Sequence, residues 1–329
     1  MSGLKAIIPA AGIGKRLRPH TYSLPKALLF VAGKPIICHI LDEVLALEPS
    51  GVVLIVGYKG DLVRSYIEEH YPQAPIEFVD QEERKGIGHA IHLTEGIANL
   101  GEPLLIVLGD TIIKTDLRAV TGMEHNILGV KAVEDPRRFG VCVVENGKIV
   151  RMVEKPKNPP SNLAVVGLYY LSDSQLLFEC LNRQIKEDLR RLGEYQITDA
   201  LQMMIESGAE FRPFTIDEWF DCGKKEAMLE TNRCLLEENH ESPIIEGSII
   251  VPPVAISPSA KIEGSIIGPY VSIAAHAEVE RSIIKDSILD EGASVRDSLL
   301  NGSLIGSKAN VGGSFQSLNI GDSSEVNPK

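Results

Sequence analysis

Directly after a short aliphatic run the chain carries Pro9-Ala10-Ala11-Gly12-Ile13-Gly14-Lys15-Arg16-Leu17-Arg18-Pro19, and Pro25-Lys26 follows shortly after. Glycines let backbone N–H groups approach phosphate oxygens closely, and flanking cations suit a triphosphate or pyrophosphate. Residues 1–41 hold six basic residues (Lys5, Lys15, Arg16, Arg18, Lys26 and Lys34) and no Asp or Glu; the first acid is Asp42. A solvated basic loop would not explain so complete an exclusion of carboxylates. Two familiar phosphate motifs fail here. The dinucleotide fingerprint has Leu17 in place of its third glycine, with no acid about twenty residues on to meet a ribose. The P-loop needs Ser or Thr after Gly-Lys and an earlier Gly, where Arg16 and Pro9 stand. A nicotinamide cofactor and a kinase-type P-loop are both disfavoured.

Other residues could do chemistry further along. Asp110 and Asp221 each end an apolar or aromatic stretch and could offer hard oxygen ligands to Mg²⁺, although singly each also reads as a turn or cap residue. Trp219, the single tryptophan, reads as a packing residue beside Asp221. His89 and His92 have helical spacing without a nearby carboxylate, which argues against a His-based metal site. The five cysteines are scattered, without Cys-x-x-Cys spacing, and read as reduced cytoplasmic thiols.

These residues need a scaffold of ordinary globular composition, and the 329 residues supply one, at 44% hydrophobic and 24% charged. The length suggests two domains. No apolar run approaches the roughly 18 residues of a membrane helix, the N-terminus does not read as a signal peptide, and the net charge of -12 disfavours nucleic acid and anionic lipid. A cytoplasmic protein is expected. Up to about residue 238, short aliphatic runs alternate with helical periodicity: strands over 4–9, 52–56, 76–79, 104–108, 127–133, 141–144, 149–153 and 164–171, and helices over 35–47, 61–70, 88–98, 197–206 and 224–238. This predicts an α/β, Rossmann-like doubly wound domain over 1–238, with a more antiparallel insertion after residue 127. Beyond residue 240 the texture changes. Ser-aliphatic-aliphatic recurs at Ser248, Ser265, Ser282 and Ser298, at spacings of 17, 17 and 16, and a second series at Ser287 and Ser303 repeats at 16. So constant a period predicts a solenoid of stacked short strands over 244–326 and argues against a small antiparallel sandwich.

Gly12-Ile13-Gly14-Lys15-Arg16-Leu17, Pro19-His20-Thr21 and Pro25-Lys26 resemble the signature of the sugar-1-phosphate nucleotidylyltransferases. Further segments resemble that family in order: 81–90 its nucleobase loop, Val107-Leu108-Gly109-Asp110 its metal-binding strand end, and Arg138-Phe139-Gly140-Val141 its sugar loop. Glu154-Lys155-Pro156, Ala164-Val165-Val166-Gly167, 193–199 and Trp219-Phe220-Asp221-Cys222-Gly223 complete the series. The C-terminal repeat resembles the left-handed β-helix of long family members such as the glucose-1-phosphate thymidylyltransferases. Ala11 and Lys15 depart from the pattern, which often has Gly and usually Thr there.

The resemblance implies an enzyme that joins a nucleoside triphosphate to a sugar 1-phosphate with release of pyrophosphate. Arg16, Lys26, Asp110 and Asp221 would be the catalytic residues, with Asp110 and Asp221 holding Mg²⁺. Ala11, Gly12, Gly14, Lys15, Gln81 and Gly86 would contact the nucleotide, and Gly140, Glu154, Lys155, Val165 and Glu194 the sugar phosphate. Gln81 favours dTTP or UTP, and glucose 1-phosphate is the expected acceptor; the alternatives are mannose-1-phosphate guanylyltransferase and a noncatalytic regulatory relative. The basic and acidic residues together at the expected site favour an enzyme over the regulatory relative. A homo-oligomer formed through the β-helix is expected.

Overall fold

The computed structural model describes residues 3–98, 101–238 and 243–313. Contacts divide the chain into one unit of Met1–Leu29 and Lys34–Met228 and a second of Phe30–Gly33 and Leu229–Lys329. In the first unit, β1 (Lys5–Pro9), β2 (Gly51–Val56), β3 (Ile76–Asp80) and β4 (Leu104–Val107) are parallel neighbours. All six residues of β2 are buried, as expected for a sheet covered on both faces. The later strands are β5 (Thr111–Lys114), β6 (Asn126–Ala132), β7 (Gly140–Glu145), β8 (Lys148–Glu154), β9 (Leu163–Leu171), β10 (Phe211–Thr215) and β11 (Glu218–Asp221). Strand β9 runs antiparallel to β4 on one side and to β6 on the other, and β6 passes the sheet on to β10. The antiparallel β7–β8 hairpin joins the first half of β9, where Ala164 faces Val141. This is the antiparallel insertion expected after residue 127.

The helices are α1 (Ile36–Leu45), α2 (Gly60–His70), α3 (Ile87–His92), α4 (Gln175–Lys186), α5 (Ile197–Glu206) and α6 (Lys225–Glu237). Helices α3, α4 and α5 bury Ile91, Phe178, Leu181 and Leu201 in one cluster with Ile7, Val53 and Ile106 of the sheet. Helix α3 is shorter than the 88–98 expected. The Thr94 hydroxyl donates to the Ile91 carbonyl at 2.7 Å, and Glu95 N–H turns to the His92 carbonyl three residues back, which winds the chain out of α-geometry. Helix α4 and strands β5, β10 and β11 go beyond the expected elements. Strand β10 contains Pro213, which removes a backbone donor; the strand is tolerated because it pairs only with β6.

In the second unit, short strands from Ile249–Ile250 to Asn310–Gly312 form three four-stranded parallel sheets, consistent with the left-handed β-helix expected. Ile267, Ile284, Val279, Val295 and Leu289 fill its interior. The recurring serines have a specific task. Ser265, Ser282 and Ser298 each donate a side-chain hydrogen bond to the carbonyl two residues back, at 2.7–2.8 Å. In turn, the backbone N–H groups of Ser265, Ser282 and Ser298 donate to the hydroxyls of Ser248, Ser265 and Ser282 at 3.1–3.2 Å. Ser287 accepts from Ser303 N–H in the same way at 3.0 Å. The repeat read from sequence is therefore a hydrogen-bonded ladder at the corners of the prism. By its contacts the second unit begins at Leu229, inside α6, and takes in Phe30–Gly33, where Ala32 N–H donates to Asn232 Oδ1 at 3.0 Å. The expected end of the solenoid at residue 326 lies outside the described residues.

Ser282→Ala removes the acceptor of Ser298 N–H and leaves a buried amide unpaired, at a cost of about 1–3 kcal/mol. Hydrogen exchange followed by mass spectrometry should show lost protection around residue 298, while the first unit exchanges as before. A second expectation concerns the thiols: Cys38, Cys142, Cys180 and Cys222 are buried, and burial pushes Cys142 up to about 11 and raises Cys38 and Cys180. Native protein treated with iodoacetamide at about pH 8 should be labelled rapidly at Cys234 at most, and at all five positions only after denaturation.

Candidate active site

The chain runs outward from β1 to β2 and β3, then returns to β4 on the other side of β1. Connections that part from neighbouring parallel strands leave a crevice at their carboxyl ends. The glycine-rich loop leaves β1 there, and Leu108-Gly109-Asp110 leaves β4; Gly109 N–H donates to the Pro9 carbonyl at 3.0 Å and ties the two strand ends together. Above them opens a cleft of about 670 Å³, a volume typical of small-molecule sites.

Ala11, Gly12, Gly14, Lys15 and Arg16 line one wall of the cleft. Gly14 has φ +67, and a Cβ there would lie 3.0 Å from Lys26 Cβ and 3.1 Å from Thr21 Cγ2. Thr21 Oγ1 donates to the Gly14 carbonyl at 3.0 Å, and Tyr58 Oη donates to the Thr21 carbonyl at 3.0 Å. The fold itself demands this glycine, and Lys26 is seated against it. Gly12 is different, because a Cβ there would meet nothing within 4 Å.

Lys26 Nζ lies 2.8 Å from Asp110 Oδ2, with 8% of the lysine side chain and 49% of the aspartate side chain exposed. Burial on its own would raise the Asp110 pKa; the Lys26 ammonium outweighs it, with help from Thr111 and Arg16, and holds the carboxyl below its ordinary value. Strands β5 and β11 pair so that Thr111 faces Asp221, which brings the second acid within one residue of the first. A Cβ on Gly223 would lie 2.6 Å from Arg16 Nη2 and 2.9 Å from Asp221 Oδ1, so the guanidinium and the carboxylate both crowd this glycine. Arg138 Nη2 stands 3.9 Å from Asp221 Oδ2.

Gln81 and Gly86 occupy another part of the same cleft. Gln81 is buried at the end of β3, and its Nε2 donates to the Gly86 carbonyl at 3.0 Å. Gly86 has φ +108, and a Cβ there would come within 2.5 Å of the Tyr195 carbonyl oxygen. Glu194, expected at the sugar phosphate, lines the cleft beside Gly86. Arg84, Ile87, Ala90 and Leu108 also line it and go beyond the expected set.

Gly140, Glu154, Lys155 and Val165 form a separate group outside the lining of that cleft. Lys155 Nζ is 2.9 Å from Glu154 Oε1, and Thr198 Oγ1 donates to Glu154 Oε2 at 2.7 Å. A Cβ on Gly140 would lie 3.0 Å from Thr198 Oγ1 and 3.1 Å from Glu154 Oε2. Val165 is buried on β9, paired with Val130. The two groups act electrostatically on one residue: burial raises the Tyr169 pKa first, and the charges of Glu154 and Asp110 raise it further. Trp219 packs edge-on to Phe139 with ring centroids 4.8 Å apart, as a packing residue should. Thr198 and Arg138 were not expected individually, although both stand in segments that carried the family resemblance.

The nucleotidyl transferase family model matches residues 5–238. UTP–glucose-1-phosphate uridylyltransferase AglF of Haloferax volcanii is 32% identical over 248 residues, which cover 73% of this chain and 99% of that protein. Glucose-1-phosphate thymidylyltransferase of Streptomyces antibioticus is 32% identical over 256 residues, 75% of this chain and 69% of the relative. A solved structure of UDP-glucose pyrophosphorylase complexed with UDP-glucose superposes with a TM-score of 0.61 at 26% identity, over 71% of this chain and 99% of that one. A family match from β1 to the end of α6, together with a relative covered almost end to end, leads to one assignment: the chain belongs to the nucleotidyl transferase family.

Proposed function

We propose that the chain transfers the nucleotidyl group of UTP or dTTP to a sugar 1-phosphate, with glucose 1-phosphate as the favoured acceptor, and releases pyrophosphate. The observation that carries this reading is the Lys26–Asp110 pair beside Arg16 and the open backbone at Gly12, all in one cleft with Gln81. A phosphate oxygen of the sugar phosphate is ionised at neutral pH, so the reaction needs no general base. That oxygen bonds to the α-phosphorus while the bond to the bridging oxygen of the β-phosphate breaks, and the electron pair leaves with pyrophosphate. Catalysis then rests on positioning two polyanions and neutralising their charge.

Each expected residue has a part in this. Gly12 and Gly14 offer backbone donors, Lys15 and Arg16 take the departing pyrophosphate, and Lys26 takes the α-phosphate. Lys155 binds the sugar phosphate, while Glu154, Gly140 and the Val165 backbone serve the sugar hydroxyls. Asp110 and Asp221 fit Mg²⁺: both donors are hard oxygens, no group of three or more metal-ligating side chains occurs among the described residues, and this ion is commonly held by one or two carboxylates with substrate phosphates. Bound there, Mg²⁺ would offset phosphate charge. Glu194, placed beside Gly86, belongs with the nucleotide in this reading. The relatives named for uridylyl and thymidylyl transfer support the pyrimidine. The buried thiols suit the cytoplasm, and the β-helix is assigned to assembly of copies.

Purified protein with Mg²⁺, each of four nucleoside triphosphates and a panel of sugar 1-phosphates should release pyrophosphate with UTP or dTTP and glucose 1-phosphate. No release with any pair would overturn the reading. Asp110→Asn and Asp221→Asn should each lower kcat by about a hundredfold or more with an unchanged circular dichroism spectrum. The two loop glycines should separate cleanly. Gly12→Ala, in open space, should melt like the wild type but bind UTP at least about tenfold more weakly, whereas Gly14→Ala, at positive φ against Lys26, should lose about 1–2 kcal/mol of stability.

A further inference from the structure

The three sheets of the solenoid turn different faces outward. The sheet that contains Val271–Ile273 is met by α6, whose fully buried Asn232 accepts from Ser272 Oγ at 2.6 Å and donates to the Tyr270 carbonyl at 3.1 Å. The sheet that contains Glu278–Glu280 is charged, with Glu278 paired to Lys261 at 3.1 Å and to Arg296 at 3.4 Å. The third sheet consists of Ile249–Ile250, Ile266–Ile267, Ile283–Lys285 and Leu299–Asn301. Ile250, Ile267, Ile284 and Leu300 turn inward to the core, so alternation points the residue before each one outward. The parallel register then stacks Ile249, Ile266, Ile283 and Leu299 in a single column. Ile249 is 60% exposed, Ile283 43% and Leu299 71%. Val251, whose N–H donates to the Ile267 carbonyl, is exposed on the same sheet, and no other large apolar side chain after residue 244 is exposed among the described residues. Exposed aliphatics gathered on one face mark an interaction surface.

We propose that this column is the contact between two copies of the chain, packed face to face about a two-fold axis parallel to the strands, so that their coils run in opposite order. This rests on the reading of the β-helix as the part that assembles copies. The borders of the column favour a second copy in that order. One border is Gly247, Gly264, Arg281 and Asp297, and the other is Val251, Gly268, Lys285 and Asn301. In reversed order Ile249 meets the partner's Leu299, and Ile266 meets the partner's Ile283. Arg281 then faces the partner's Gly264, Lys285 the partner's Gly268, and Asp297 the partner's Gly247. Every border charge is thus set against a residue with no side chain. Arg281 and Asp297 also hold each other at 2.7 and 2.9 Å, so their charges are matched before the face is covered. With the coils in the same order, Arg281 would face the partner's Lys285, and a like-charge pair at an interface is unfavourable. The reversed contact is isologous and closes at two copies.

A single four-stranded face is smaller than a standard interface, so a dissociation constant in about the micromolar range is expected. Sedimentation velocity of the full chain from about 1 to about 200 µM should show monomer passing into dimer, and Leu299→Arg and Ile249→Glu should each weaken the dimer at least about tenfold. Crosslinking reads the arrangement. Within one copy residues 249 and 299 lie three strand spacings apart, about 14 Å, too far for a disulfide, whereas across the axis they face each other. Under mild oxidation the double variant Ile249→Cys/Leu299→Cys should form a covalent dimer far more readily than either single variant. Monomer at every concentration would overturn the proposal together with the assembly reading beneath it. Self-association that neither Leu299→Arg nor Ile249→Glu weakens would overturn this face and leave assembly to another surface. A trimer, or single variants that crosslink as readily as the double, would overturn the reversed two-fold arrangement.

Discussion

An ammonium almost withdrawn from water has lost most of its hydration and needs an anion beside it, and Lys26 has Asp110. The dependence runs both ways, since burial alone would raise the Asp110 pKa and Lys26 reverses this. Two chain segments far apart in sequence are bound by this exchange. Lys26 is held by the close approach of Gly14, and Asp110 by the attachment of Gly109 to the end of β1. The site is therefore charged before any substrate arrives, with cation and anion already balanced. On the proposed function, an incoming polyanion would meet Lys15 and Arg16 at the loop and compete with Asp110 for Lys26.

Against the net charge of -12, the absence of any acid before Asp42 acquires a structural reason. The glycine-rich wall of the cleft takes its carboxylates from elsewhere, one from the end of β4 and one from the end of β11, and each arrives already matched with a cation. The second group, around Glu154, follows the same rule, since Lys155 and the Thr198 hydroxyl both satisfy that buried carboxylate. Tyr169 is subject to both groups, its phenol kept protonated by burial and by their negative charge.

Much of this was legible in the sequence wherever function is local. The glycine loop, Gln81-to-Gly86 and Asp110 lie at the ends of strands that hydrophobic runs announce, so their placement follows from order along the chain. The position of Glu194 was not legible, because it depends on the loop after α4 folding back until the Tyr195 carbonyl meets Gly88 N–H at 2.8 Å. Arg84 and Leu108 belong to the cleft only through tertiary proximity and have no spacing of their own. Strand β10 was hidden by Pro213, which is harmless solely at an edge. In the solenoid the period was plain, but its cause was not: a serine side chain reaching from one coil to the next leaves the same trace in sequence as a merely small residue.

That serine ladder turns the solenoid into a ruler marked in whole coils. Each coil satisfies the backbone of the next through the same corner hydroxyl, so any coil is an adequate neighbour for any other. The structure can thus grow or shrink by one complete repeat of 16 or 17 residues, changing its length by about 4.8 Å while every remaining bond keeps its partner. A single extra residue is accommodated only in a turn, as the coils of 16 and 17 residues show; inside a strand it would turn an interior isoleucine outward. Length in this part of the chain is quantised, and its variation in evolution should be read in coils and not in residues.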